Sequence, residues 1–339
     1  MLTKADFRSI IRKRGGLVID GGLATQLEAN GHDLNHPLWS GKLLKEDPDA
    51  IQKVHLDYYL AGADVAITAS YQASTQGLQD HLGVDEDAAT QLIKRSVHLA
   101  QRARCDAYQK GRGGENTDDK LLIAGSVGPY GAFLADGSEY SGAYGSKLTA
   151  EEYRRFHHPR LKALIDAGVD LLAIETIPCL DELEAIKTML KADFPDAIAW
   201  VSCTLKDAQH ISDGTDIKAI LPPMLESEQV VAFGVNCVPI TIVTAALNNL
   251  KHLLETTSEA EQSNGAGEAR ELQLICYPNS GETYDAEKKV WVCKSAEEQL
   301  KDVMERVRYW AQAGATLIGG CCRTGPDYVK AVARVLRGD

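Results

Sequence analysis

Two hydrophobic rhythms alternate along the 339 residues. Short apolar runs without polar interruption, such as Leu171-Leu172-Ala173-Ile174 and Val230-Val231-Ala232-Phe233, have the length and composition of strands buried on both faces. Between them lie longer segments whose apolar residues recur every three or four positions, as in a helix with one face against a core. Strand candidates fall at residues 17–20, 65–70, 121–126, 171–175, 197–204, 230–237, 272–277 and 316–320. Helical patterning covers 48–61, 87–108, 150–167, 181–191, 240–256 and 296–313.

One joint recurs. Ala61-Gly62-Ala63-Asp64-Val65, Ala167-Gly168-Val169-Asp170-Leu171 and Ala313-Gly314-Ala315-Thr316-Leu317 each follow a helical segment and run directly into a strand candidate. A glycine there takes the left-handed cap of the helix and turns the chain into the strand. Eight strands alternating with helices predict an α/β fold, a single-domain (β/α)8 TIM barrel over residues 1–339, rather than a doubly wound sheet. No G-x-G-x-x-G follows a strand candidate, which argues against a dinucleotide turn. The polar stretches 111–120 and 255–270 read as solvated loops on the face away from the chemistry.

Composition narrows the function. A net charge of -12 excludes a basic nucleic-acid surface. No apolar run approaches the roughly 18 residues of a membrane helix, and there is no signal-peptide core, so a cytoplasmic protein without membrane contact is expected. Residues 2–14 are basic and amphipathic, but Asp6 and the short run into Gly15-Gly16 suit a surface helix before the first strand better than a transit peptide. Eight cysteines without a secretion signal suggest metal binding or catalysis before cross-linking.

In such barrels chemistry collects where the strands end. Here the ends read Asp20-Gly21-Gly22, Ser70-Tyr71-Gln72, Ser126-Val127-Gly128-Pro129-Tyr130-Gly131, Glu175-Thr176, Asn236-Cys237, Tyr277-Pro278-Asn279-Ser280-Gly281 and Gly320-Cys321-Cys322. Glu175 leaves a buried strand and needs a cationic or hydrogen-bonding partner; Asp20 has the simpler alternative of shaping its turn. Cys237, Cys321 and Cys322 form a soft donor set suited to zinc. Gly319, Gly320 and Gly325 are expected to permit the bend that turns the two adjacent cysteines to one atom. Three readings stay open: a catalytic zinc with a free fourth position, a structural zinc completed by Cys203 or Cys276, and a redox pair at Cys321-Cys322. Cys105, Cys179 and Cys293 read as packing or loop residues, and the histidines receive no role.

Taken together, these motifs, with Ala24-Thr25-Gln26-Leu27, Asp136-Gly137-Ser138-Glu139-Tyr140 and Gly281-Glu282, resemble the zinc-dependent homocysteine S-methyltransferases, nearest the plant and microbial branch that uses S-methylmethionine. The resemblance runs from about Leu17 to Val335. It implies a methyltransferase that moves a methyl group from a sulfonium donor, S-methylmethionine or S-adenosylmethionine, to the zinc-bound thiolate of homocysteine, giving methionine. It implies Zn2+ on Cys237, Cys321 and Cys322, and Glu175 and Asp20 on the substrate amino group. Backbone at Ser126, Val127 and Gly128 would receive the carboxylate, and Asn236 is placed among the substrate contacts. Tyr71, Tyr130, Phe133 and Tyr140, with Asp136 or Glu139, are candidates to line the sulfonium pocket, and whether a loop at 142–146 closes over it is not fixed by the sequence.

Partners are then small molecules. The alternatives are betaine as donor, selenocysteine as acceptor, or a non-catalytic zinc protein that binds a thiol metabolite. The chain stops at Asp339 without the C-terminal dimerisation segment usual in the betaine branch, so a monomer or weak homo-oligomer is expected.

Overall fold

The strands are β1 (Leu17–Val18), β2 (Val65–Ile67), β3 (Leu122–Val127), β4 (Leu171–Ile177), β5 (Ala199–Cys203), β6 (Val230–Asn236), β7 (Gln273–Tyr277), β8 (Thr283–Asp285), β9 (Val290–Val292) and β10 (Ala315–Ile318). They come from a computed structural model that describes residues 1–338 except 115, 117–118, 264–271, 282, 286–289 and 293–295. Cys293 and Glu282 lie outside the described residues. β8 and β9 pair antiparallel with each other; the other eight form one parallel sheet in the order β1-β10-β7-β6-β5-β4-β3-β2. Its two edges meet, since Ile19 bridges Val65, the Asp64 N–H donates to the Val18 carbonyl at 2.7 Å and the Asp20 N–H to the Val65 carbonyl at 3.0 Å. The expected TIM barrel is therefore present, with the helices packed outside it.

The recurring joint both turns the chain and locks register. Gly62, Gly168 and Gly314 are all left-handed, with φ of 118°, 84° and 97°. Two residues on, the side chain reaches the neighbouring strand. Asp64 accepts the Val18 N–H at 2.9 Å, Asp170 accepts the Ile123 N–H at 2.9 Å, and Thr316 Oγ1 donates to Gln273 Oε1 at 2.8 Å. The two carboxylates are balanced from the outer layer, Asp64 by Arg112 and Arg337, Asp170 by Arg104 and Lys120.

Inside the barrel, Leu17, Ile19, Leu122, Ala124, Leu171, Ala173, Trp200, Ile275 and Leu317 form one apolar cluster. The N-terminal helix Lys4–Arg14 belongs to that cluster: Phe7 and Ile10 are completely buried, and the Leu2 N–H donates to the Asp170 carbonyl at the start of β4. It closes the lower mouth of the barrel as the expected surface helix before β1, with Phe7, Ile10 and Ile11 turned inward and its charged residues left at least partly exposed.

Helix Ile240–Ser263 runs through the first half of the loop expected at 255–270; the remainder lies outside the described residues. Residues 255–263 are polar but hold no glycine or proline, and polarity alone does not end a helix. The pattern also missed helix Ile217–Glu226, whose Pro222 and Pro223 obscure its apolar stripe.

Candidate functional site

Strand alternation delivers the first part of the site. Leu171 and Ala173 point into the barrel, so Glu175 does too; the same parity carries Ser126 beyond Leu122 and Ala124, and Tyr277 beyond Ile275. These side chains cap the apolar interior and floor a cavity of about 430 Å³ at the strand C-termini.

The cysteines need a second device. β6 and β10 are separated by β7, so their ends lie about 10 Å apart at an ordinary strand spacing. Loop Tyr277–Ser280 joins them. The Cys237 N–H donates to the Tyr277 carbonyl (3.1 Å), the Cys321 N–H to the Pro278 carbonyl (2.7 Å), and the Cys322 N–H to Asn279 Oδ1 (3.2 Å). In return Asn279 N–H donates to the Val238 carbonyl and Ser280 N–H to the Cys322 carbonyl, each at 3.1 Å. Cys237 bends over the end of β7 with a left-handed φ of 53°. As a result the sulfurs of Cys237 and Cys321 stand 2.9 Å apart, Cys237 and Cys322 3.6 Å, and Cys321 and Cys322 4.0 Å.

The glycines here act otherwise than expected. Gly319 and Gly320 are not left-handed; Arg323 is, with φ of 64°. Their role is close approach, since a Cβ on Gly319 would fall 2.6 Å from Ile19 Cβ and one on Gly320 2.3 Å from Thr324 Oγ1.

Among the described residues, no other cysteine, histidine or carboxylate joins the trio within metal-ligand range, so neither Cys203 nor Cys276 completes a closed site. Cys321 and Cys322 are free thiols whose sulfurs are well beyond disulfide length. Sulfurs around a tetrahedral zinc lie about 3.8 Å apart. Two of the three separations already match, and all three side chains line the cavity, so the trio fits a soft ion with one position open to it. Hydrogen bonds from Cys237 and then Cys321 push the Cys322 thiol down to about 4, so the cluster carries a thiolate.

Glu175 Oε1 accepts from Ser126 Oγ. Behind it the Tyr277 hydroxyl lies 2.6 Å from Ser202 Oγ and accepts from Trp200 Nε1 at 3.1 Å. Burial dominates even so and pushes Glu175 up to about 7. Asp20 accepts the Ile67 N–H at 2.9 Å and is also raised, first by burial, with the charge of Glu175 adding to it. Two buried carboxylates thus share one cavity, each raising the cost of ionising the other.

Several expected contacts are placed elsewhere. The Ser126 N–H donates to Thr68 Oγ1 (2.9 Å) and its carbonyl accepts from Ser70 Oγ (2.8 Å), so its backbone is already satisfied. Val127 and Gly128 do not line the cavity; the Gly128 carbonyl accepts from Arg160 Nη2. Asn236 is also outside the lining, and its amide grips Thr176 from both sides. Thr176 N–H donates to Asn236 Oδ1, and Asn236 Nδ2 to Thr176 Oγ1, each at 2.8 Å. That clamp holds a β-branched residue at a left-handed φ of 64°. Of the four aromatics, Tyr71 and Tyr140 line the cavity, whereas Tyr130 and Phe133 pack on Phe156 in a separate cluster. The wall over the cavity comes from Ala135, Gly137, Glu139 and Tyr140, not from 142–146.

A buried network escaped the sequence reading. Arg160 donates to the Tyr71 and Gly128 carbonyls and to His157 Nδ1, while His157 Nε2 lies 2.7 Å from Glu182. That pattern defines a neutral imidazole, consistent with burial lowering its pKa. The available signal was an arginine and a histidine three residues apart on the apolar stripe of helix Ala150–Asp166. Trp39, left-handed at φ 48°, also lines the cavity and had no motif to announce it.

The family model described as homocysteine S-methyltransferase matches residues 17–336. A homocysteine S-methyltransferase of Escherichia coli (strain K12) is 46% identical over 325 residues, covering 96% of each chain. Homocysteine S-methyltransferase YbgG of Bacillus subtilis (strain 168) is 44% identical over 317 residues, covering 94% of this chain and 93% of its own. Among solved structures, the metallated form of the homocysteine methyltransferase MmuM from Escherichia coli superposes with a TM-score of 0.81 at 42% identity, covering 97% of this chain and 99% of that one.

Proposed function

We propose, from the premise that this chain belongs to the homocysteine S-methyltransferase family, that Cys237, Cys321 and Cys322 hold zinc and that S-methylmethionine is the preferred donor. The observation that carries this reading is the meeting of three sulfurs and two buried carboxylates in one cavity. Zinc, when bound, supplies a Lewis acid that keeps an incoming thiol, ordinarily near pKa 8.5, as thiolate at neutral pH.

The chain's own residues do the rest. Glu175 and Asp20 take the α-ammonium of homocysteine, a cation that would favour the charged form of two carboxylates whose pKa values burial raises. Ser126 fixes the Glu175 carboxylate, so the ammonium meets a preset acceptor. With the amino group anchored, the thiol end reaches the cysteine trio. The donor's S–CH3 bond then breaks as the acceptor sulfur bonds the methyl carbon. The S–CH3 electron pair stays on the donor sulfur, which leaves as a neutral thioether, so transfer requires alignment and no proton donor. The thiol proton has already gone to solvent.

On this reading residues 1–339 act as one homocysteine-binding barrel. The test is methionine formation by zinc-loaded protein given homocysteine and S-methylmethionine, with S-adenosylmethionine and betaine in competition. Protein carrying one equivalent of zinc that forms no methionine from any of these donors would sink the proposal.

A further inference from the structure

Besides His36 and the tyrosines Tyr71, Tyr140 and Tyr277, the ionisable residues lining the cavity are Asp20, Glu175, Glu139 and the cysteine trio; among the described residues no lysine or arginine lines it. Asp20 and Glu175 are carried by the ends of β1 and β4, whereas Glu139 comes from the segment over the cavity, beside Tyr140, whose hydroxyl reaches Cys237 Sγ. The third carboxylate is therefore supplied from the side of the sulfurs. Its Oε2 is inaccessible to solvent and has no hydrogen-bond partner. Glu139 as a whole is only half-buried, but a carboxylate oxygen shielded from solvent and left unpartnered is costly unless a positive charge meets it.

The backbone around it is held. The Glu139 carbonyl accepts from Thr204 Oγ1 at 3.1 Å, and the next residue places its Tyr140 hydroxyl 3.5 Å from Cys237 Sγ. Asp136, the other acid of this segment, is exposed, accepts the Ser138 N–H at 2.9 Å and does not line the cavity.

We propose that Glu139 is the counter-ion for the positive charge of the methyl donor and so selects a cationic donor over a neutral one of the same shape. This rests on the methyltransferase reading above and deepens it. Homocysteine brings one ammonium, for which Asp20 and Glu175 suffice; a sulfonium donor brings a further cation that must lie near the sulfurs, where Glu139 is. Tyr71 and Tyr140, on the same wall, add ring faces that attract a cation of either sulfur or nitrogen.

The experiment compares metal-loaded wild type with Glu139→Gln and Glu139→Asp. Two dead-end ligands are titrated by calorimetry with homocysteine present: an S-methylmethionine analogue ending in trimethylammonium, and its uncharged tert-butyl isostere. Wild type should favour the cation by about tenfold or more. Glu139→Gln should bind the two alike, with a raised S-methylmethionine KM and unchanged zinc content and homocysteine affinity. Glu139→Asp should recover part of the preference. A Glu139→Gln enzyme that keeps the preference, or a wild type that has none, overturns the assignment; so does equal loss of both ligands together with zinc or homocysteine, which marks a structural role. Failure of the underlying methyltransferase reading would appear separately, as wild type that makes no methionine.

Discussion

The sulfurs of Cys237 and Cys322, 85 residues apart in the chain, stand 3.6 Å apart across the end of a strand that belongs to neither. β7 and the loop after it hold both cysteine turns, by main-chain bonds and by the Asn279 side chain, so the sulfurs are positioned by contacts that do not involve them.

Replacing Cys237, Cys321 or Cys322 by alanine should remove bound metal and activity and leave the barrel folded, because the turns are held by backbone rather than by the sulfurs. Elemental analysis beside circular dichroism checks this. Asn279→Ala keeps all three sulfurs and removes only the acceptor for the Cys322 N–H; metal affinity should fall about 10- to 100-fold.

Homocysteine binding should depend on pH through Glu175. The ammonium pairs with the ionised carboxylate, which titrates near 7 in the free protein, so affinity should drop about tenfold per pH unit below 7 and level off above it. Glu175→Gln should weaken binding and flatten that limb, while any limb from thiol ionisation persists. A folded pKa raised above the ordinary 4.5 means that ionisation destabilises the ligand-free fold. Its stability should decline as pH rises from about 4.5 to about 7, and Glu175→Gln should reduce the decline, leaving the part owed to the raised Asp20. KM profiles and denaturant midpoints across pH 4.5–8.5 would show whether both effects follow the one side chain.

Asn236→Ala should cost about 2–4 kcal/mol, since it removes two buried hydrogen bonds and leaves the Thr176 N–H without its acceptor. Methyl transfer should fall as well, because Thr176 lines the cavity. Urea unfolding gives the first number; an unshifted midpoint would mean the clamp is idle.

Phe7→Ala should lower stability by about 3–5 kcal/mol by opening a void at the lower mouth. Both substrate KM values should stay within about twofold, since the mouth lies at the opposite end of the barrel. Together with Asn236→Ala, this variant separates loss of fold from loss of site.

Local rules made much of the molecule legible in the chain. Continuous apolar runs and the Gly62, Gly168 and Gly314 joints set out eight parallel strands, because buried strands and left-handed caps leave signatures within a few residues. Glu175 stood out as well, since a carboxylate at the end of a buried apolar run needs a polar partner. Tertiary structure decided what depends on distant partners. The sulfur trio closes through a loop from the intervening strand; the Asn236 amide is engaged by Thr176; the Ser126 N–H is taken by Thr68. Residue type tells what a polar group can bond, but the fold decides which neighbour reaches it first, and a buried donor satisfied by the protein is no longer free for a ligand.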